Sequence, residues 1–298
     1  MTEYFTPTSI EEVIGLLKAY QGEALIVAGG TDVMPDVRKQ KIHPRCLVDI
    51  TRVPGLDGIN VTDAFVEVGA AVTFAAIKDC PFLNQHVHAL TDAARSVGTL
   101  AIQNAATWVG NIVQAMPAAD GAIIAIALQA EAHVVDDHGA TWRRVESLFS
   151  GPGVSTIDPS RQFVTQLRFP RPGPWWGTTW RRIGRRPSLV LPILNCAVKL
   201  CLDAGGARIA HGSVVLGPVA PRPFRARETE AFLKDQSPTA DVFAQAARIA
   251  QGESNPRSSV MRASRAYRLS IIPALVSDAL SAAAERAGNT NHEWGKEA

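Results

Sequence analysis

The 298-residue sequence lacks a long apolar run, paired cysteines and a marked excess of either charge. No apolar stretch approaches the roughly 18 to 20 residues of a membrane-spanning helix. The best run, Ala122 to Leu128, suits a short buried element instead. The opening Met1-Thr2-Glu3-Tyr4 has neither the basic nor the apolar region of a secretory signal, so the expected compartment is the cytoplasm and disulfides are not expected. With 30 basic and 28 acidic residues the formal net charge is +2, which argues against a phosphate-coating nucleic-acid binder. No nucleic-acid partner and no membrane span are expected.

The four cysteines, Cys46, Cys80, Cys196 and Cys201, form no CxxC pair of the kind that holds zinc or a redox disulfide. Cys196 and Cys201 are five residues apart in the apolar run Leu194 to Leu202, which places them on opposite faces of a strand. All four read as packing residues. His86 and His88 have no third ligand nearby and read as surface histidines rather than a metal site. No GxGxxG opens a helix after a strand, and no GxxxxGK[ST] occurs. There is also no Ser–His–Asp or Cys–His arrangement and no carboxylate pair spaced for acid–base work.

What is present reads as mixed helix and strand. Ser9-Ile10-Glu11-Glu12 is a capping box opening an amphipathic helix over residues 9–20. Apolar runs at Ala24 to Ala28, Leu47 to Ile50 and Phe65 to Val72 predict strands, and Gly121 to Ala130 predicts a buried helix. Ala132 to Val135, Thr141 to Val145 and Phe163 to Phe169 predict a later sheet. Pro170-Arg171-Pro172-Gly173-Pro174-Trp175-Trp176-Gly177 predicts an extended connector between domains. Beyond it, Leu194 to Leu202 and Ala207 to Leu216 predict a hairpin. Ala226 to Lys234, Thr239 to Ala250 and Ser258 to Ala284 predict helices, with Pro273 expected to end or kink the last. The domains expected are 1–172, with lobes of about 1–55 and 56–172, then 173–288, then a flexible tail over 289–298.

The most informative local feature is Val27-Ala28-Gly29-Gly30-Thr31-Asp32, a strand that runs straight into paired glycines. Glycine lets a phosphate approach backbone amides closely, and Thr31 adds a hydroxyl donor. Taken alone, the pair favours a simple structural turn. A second loop rich in small and amide residues, Gly98 to Asn111, precedes the turn Pro117-Ala118-Ala119-Asp120.

On these motifs the chain resembles the FAD-binding medium subunits of molybdenum hydroxylases, the group of xanthine dehydrogenase, carbon monoxide dehydrogenase and 4-hydroxybenzoyl-CoA reductase. Ala28-Gly29-Gly30-Thr31-Asp32 resembles that family's first FAD loop. Gln103-Asn104-Ala105-Ala106-Thr107-Trp108-Val109-Gly110-Asn111 resembles its second, an IRN stretch followed by TxGGN. Pro117 to Asp120 is similar to its PxxD turn, Trp180 to Arg186 to its YxKxxRR segment, Gly217 to Pro223 to its GxVAPxP turn, and Ala263 to Arg268 to its SAxYR stretch. The resemblance covers nearly the whole chain.

It implies an α+β fold: a para-cresol methylhydroxylase-type FAD domain of two lobes, followed by a C-terminal antiparallel sheet with helices, of the CO dehydrogenase flavoprotein C-terminal type. It implies that amides of residues 28–32 and 109–111 hold the FAD pyrophosphate, with Thr31, Thr107 and Asn111 as side-chain donors. Asp120 would accept from the ribose or flavin tail, and Arg182, alone among the clustered arginines 181, 182, 185 and 186, would face the flavin. Val27, Val33, Ala101, Val109, Gly110 and Val164 complete the implied FAD contacts.

Two positions depart from the pattern. Val109 replaces a glycine, and a β-branched residue tolerates positive φ poorly, so the loop must keep an ordinary backbone there or bind FAD differently. Arg182 replaces a lysine, exchanging a compact ammonium for a planar fork.

The implied role is an electron-transfer subunit with non-covalent FAD, since Thr31 stands where related covalent flavoproteins carry histidine. A large molybdopterin subunit and a small [2Fe–2S] subunit are the implied partners, as a dimer of heterotrimers, with NAD a candidate acceptor. An additional [4Fe–4S] cluster in this chain is not expected. The alternatives are a flavin-poor scaffold of the same complex, suggested by Val109, and a free-standing FAD oxidoreductase.

Overall fold

The computed structural model of the chain describes residues 2–186, 190–260 and 262–294. It begins with β1 (Glu3–Phe5), α1 (Ile10–Tyr20), β2 (Ala24–Val27), α2 (Val33–Arg38) and β3 (Cys46–Asp49). The predicted cap forms: Ser9 Oγ accepts from the Glu12 amide at 3.2 Å, while the Glu12 carboxylate reaches back to the Thr8 amide at 2.7 Å. Val13, Ile14 and Leu17 bury the inner face of α1. The strands form a parallel sheet in the order β1-β3-β2, with Ala24 opposite Cys46 and Val27 opposite Asp49.

The next part contains β4 (Ile59–Val61), β5 (Phe65–Gly69), α3 (Phe74–Asp79), α4 (Pro81–His86), α5 (His88–Ser96), α6 (Leu100–Gln103), α7 (Trp108–Val113) and α8 (Asp120–Ala127). It closes with β6 (Glu131–Asp136), β7 (Gly139–Arg144), β8 (Phe149–Gly151), β9 (Val154–Ser155) and β10 (Phe163–Pro170). β10 runs antiparallel between β5 and β6 in a sheet of order β4-β5-β10-β6-β7. Every residue of α8 is buried, and after Asp120 it is composed only of Gly, Ala and Ile. β5 stops at Gly69, short of Val72. A β-carbon at Gly69 would lie 2.2 Å from the Leu56 carbonyl oxygen, so that position requires glycine.

The C-terminal part holds β11 (Trp176–Ile183), β12 (Leu194–Leu202), β13 (Ile209–Gly217), β14 (Phe224–Arg225), α9 (Arg227–Leu233), α10 (Ala240–Glu253) and α11 (Arg265–Trp294). Its four strands are antiparallel in sequence order. The proline-rich connector is shorter than expected, because β10 extends through Pro170 and β11 already begins at Trp176.

Alternation along β12 divides the side chains between two cores. Cys196, Val198 and Leu200 face α10 and α11, whereas Ala197 and Cys201 pack with the first domain. The two cysteines lie on opposite faces, as their spacing predicts. Burial pushes the Cys196 thiol up to about 12.

Two expectations are overturned. His86 is not a surface residue: it ends α4, is buried, and lies against the Phe82 ring at 4.7 Å. The last helix starts at Arg265 rather than Ser258, and Pro273 lies inside it rather than ending it; the helix is described as far as Trp294, and residues 295–298 lie outside the described residues. Proline removes the amide that would bond the Leu269 carbonyl four residues earlier. Gln251 Nε2 on α10 donates to that carbonyl at 2.8 Å instead, so the helix continues without an unsatisfied group.

Candidate functional site

The apolar strand β2 delivers its C-terminal end to Ala28-Gly29-Gly30, and α2 leaves from the same point. Gly30 adopts φ +64°, the left-handed region that glycine enters at little cost, and its carbonyl accepts from the Met34 amide at 3.0 Å. Asp32 stands at the N-cap of α2 without a side-chain cap bond. In the first turn Met34 bonds Gly30 and Pro35 has no amide, so the Val33 amide is the one left without an intrahelical carbonyl. Partial desolvation in the cleft raises the pKa of the Asp32 carboxyl above its ordinary value, and Asp36 adds to the rise.

Gly29 has a different reason for being glycine. A β-carbon there would lie 1.9 Å from the Ala105 carbonyl oxygen and 2.9 Å from the Ala106 Cα. The two glycine- and alanine-rich loops, far apart in sequence, touch backbone to backbone.

The second loop is fixed by its own hydrogen bonds. Thr107 is the N-cap of α7, its hydroxyl oxygen accepting from the Gly110 amide at 3.1 Å, and the Phe74 amide donates to the Ala106 carbonyl at 3.0 Å. Asn111 Oδ1 accepts from the Gly121 amide at 3.0 Å, which leaves the NH₂ end as the group the side chain can offer to a ligand. Trp108 Nε1 donates to the Gly121 carbonyl at 2.9 Å. Val109 is a buried residue of helix α7 and is not among the residues with positive φ. The ordinary backbone is thus the alternative realised, and the basis for suspecting a flavin-poor loop disappears.

Two adjoining cavities occupy the space between the loops. The first, of about 300 Å³, is walled by Val27 to Val33 on one side and by Thr107, Gly110 and Asn111 on the other. The second, of about 460 Å³, is largely apolar and is walled by Ile26, Ile50, Val109, Phe163 and Val164. Ala28, Thr107 and Gly110 line both, so the cavities form one cleft. Ala101 lines neither cavity: it is exposed on α6, and Ile102 is the wall residue from that helix.

Asp120 and Arg182 line neither cavity. They meet at the junction of the two domains, with Arg182 Nη1 3.5 Å from Asp120 Oδ2 and both side chains about nine-tenths buried. Trp180 Nε1 donates to Asp120 Oδ1 at 3.2 Å, and Asn195 Nδ2 donates to the same oxygen and to the Ala118 carbonyl at 3.1 Å. Burial raises the pKa of the Asp120 carboxyl, against the opposing pull of Asn195, Arg182 and Trp180.

This group abuts the cleft through sequence neighbours at two places. Gly121, next to Asp120, holds the cleft residue Asn111. Arg182 Nη1 donates to Ser96 Oγ at 3.4 Å, beside the cleft residue Val97. Of the other arginines in the cluster, Arg181 pairs with Asp278 on α11, and Arg185 and Arg186 are exposed.

Trp180, Asn195 and Ser96 were not identified as site residues from sequence. Asn195 carries a readable signal, a polar residue in a mostly apolar strand, which it shares with Lys199. Among the described residues no group of three or more His, Cys, Asp or Glu is placed to hold a metal ion, and no helix is long and apolar enough to cross a membrane.

A cleft between two loops of the first domain, with a buried ion pair beside it that joins Asp120 of that domain to Arg182 of the second, has the shape and donors of a dinucleotide-cofactor site. The chain belongs to the family described as the FAD binding domain in molybdopterin dehydrogenase, which matches residues 1–172. Residues 180–283 match the CO dehydrogenase flavoprotein C-terminal domain.

Among its relatives, the xanthine dehydrogenase FAD-binding subunit of Escherichia coli O157:H7 is 26% identical over 286 residues, 96% of this chain and 97% of that protein. The nicotinate dehydrogenase FAD-subunit of Eubacterium barkeri is 28% identical over 207 residues, 68% of this chain and 70% of that one. A solved structure of carbon monoxide dehydrogenase from Hydrogenophaga pseudoflava superposes with a TM-score of 0.89 at 25% identity, covering 96% of this chain and 98% of that one. The resemblance drawn from the motifs and the α+β fold it implied are both borne out.

Proposed function

We propose that this FAD-binding subunit of a molybdenum hydroxylase passes electrons between iron–sulfur clusters of a partner subunit and an external acceptor, of which NAD is the first candidate. The observation that carries the reading is the contact of Gly29 with Ala105, which builds one cleft from two loops. Its residues fit an extended dinucleotide. Residues 28–32 wall the cleft around the left-handed turn at Gly30 and would offer it backbone amides, while Thr31 and the NH₂ end of Asn111 add donors suited to a pyrophosphate. The apolar walls around Val109, Phe163 and Val164 suit a flat ring system.

Behind the cleft wall, at the domain junction, Asp120 and Arg182 offer an acceptor and a cation side by side, suited to the polar chain and ring of the flavin. FAD, when bound, supplies the redox chemistry. The chain binds and orients it and excludes water from the junction.

The reading includes a large molybdopterin subunit and a small iron–sulfur subunit, arranged as a dimer of heterotrimers in the cytoplasm. Rapid mixing of the purified complex with NADH tests the acceptor. Bleaching of the flavin absorbance is expected, and an unchanged spectrum excludes a nicotinamide acceptor. Purification as a single-chain flavoprotein, with no accompanying subunits, would overturn the electron-transfer reading in favour of a free-standing oxidoreductase.

A further inference from the structure

We infer that Asn195, on β12 of the C-terminal domain, is a positioning residue that holds Asp120 of the FAD domain in its binding geometry, so that docking of the second domain sets flavin affinity. The inference rests on the reading that Asp120 contacts FAD.

Asn195 is fully buried, and its amide nitrogen donates to the turn before α8 at two points, Ala118 O and Asp120 Oδ1. An amide is suited to this place because its two N–H groups can serve two acceptors at once, which a hydroxyl, with one proton, cannot. The surrounding backbone is shaped to admit it. A β-carbon on Gly217, the partner of Asn195 in the β12–β13 ladder, would lie 2.5 Å from Asn195 Oδ1 and 2.6 Å from the Pro117 carbonyl oxygen. Asn195 thus bonds the turn while the bare backbone of Gly217 packs against its first residue.

Arg182 on β11 is the cation against Asp120, and it also spans the junction to Ser96. Without Asn195, the carboxylate keeps the attraction of Arg182 and one bond from Trp180, but the turn loses its anchor. Asp120 is then held only by Trp180 and Arg182 of β11.

The test is a double-mutant cycle on FAD affinity in the full chain, combining Asp120→Ala with Asn195→Leu, the latter close in volume and without a donor. Each single variant is expected to raise the FAD Kd about tenfold, the scale of one lost buried polar interaction. In the Asp120→Ala background, Asn195→Leu should add nothing further. Affinities that multiply in the double variant, or an unchanged Kd in Asn195→Leu, overturn the inference. An unchanged Kd in Asp120→Ala overturns instead the reading on which it rests, and the inference with it.

Should Asn195→Leu fail to fold, Asn195→Ser keeps one donor and is expected to lie between wild type and Asp120→Ala; wild-type affinity there contradicts the account. A second readout separates positioning from packing. Asn195→Leu removes a donor that favours the charged carboxyl, so the pH dependence of FAD binding should move upward, whereas a packing defect weakens binding equally at every pH.

Discussion

The backbone of Gly29 lies directly on that of Ala105: a β-carbon added to Gly29 would sit 1.9 Å from the Ala105 carbonyl oxygen. Paired glycines therefore do two jobs in this loop. Gly29 lets the two lobes touch, and Gly30, at φ +64°, turns the chain into α2. The distinction changes which substitution tests the cofactor site.

Gly30→Ala should reduce FAD occupancy at modest cost to the fold. The left-handed conformation costs a side chain about 1–2 kcal/mol, and the new methyl would press on Met34 Cγ at 3.1 Å. Gly29→Ala should lower Tm and FAD occupancy together, because the clash is with backbone that cannot rotate away. Thermal melts of both variants, with released flavin quantified, check the contrast; equal Tm losses would contradict it.

Gln251 should matter only because of Pro273. Gln251→Leu leaves the Leu269 carbonyl without its donor and should destabilise the chain by about 1–3 kcal/mol. In a Pro273→Ala background the helix supplies its own amide to that carbonyl, so the loss should shrink. Denaturant titrations of the four proteins give the coupling, and additive effects would show that the bond does not compensate for the proline.

His133 should make stability fall in mild acid. Burial, with Arg168 adding, lowers the pKa of this ring below its ordinary 6.5, and its Nδ1 lies 2.7 Å from Thr165 Oγ1. Below pH 6.5 the unfolded chain takes up a proton that the folded ring resists, so this contribution is complete above that value and declines as pH falls toward the folded-state pKa. The difference in Tm between pH 7.5 and 5.5 should be smaller in His133→Gln than in the parent.

Cys196 should be silent toward thiol reagents in the folded protein, since it is buried and its thiol is pushed up to about 12. Cys80, partly exposed, should react first. Mass spectrometry after brief alkylation at pH 8 reads the order, and Cys196 labelling as fast as Cys80 would contradict the packing of β12.

Much of this was legible in the sequence because local signals and tertiary structure agree. The Ser9 cap, the apolar run of β2, the β12–β13 hairpin and the loop motifs each appear where their residues predict. What could not be read depends on contacts between distant segments. Nothing near Pro273 announces that Gln251 will satisfy the carbonyl it frees. Nothing in residues 84–88 shows that the fold buries His86. Val109 looks like a defect when judged as a replaced glycine, but its backbone is helical. The junction is the least legible part: Asp120 and Arg182 stand out singly, whereas Trp180 and Asn195 meet Asp120 only once β11 and β12 pack on the turn before α8.

The central claim is that the cleft between the two loops holds FAD, and its most direct test is to purify this chain with whatever accompanies it, release small molecules by heat and identify them by chromatography against FAD and FMN. The account predicts one FAD per chain. A folded preparation that yields no flavin and takes up none when FAD is added would contradict it.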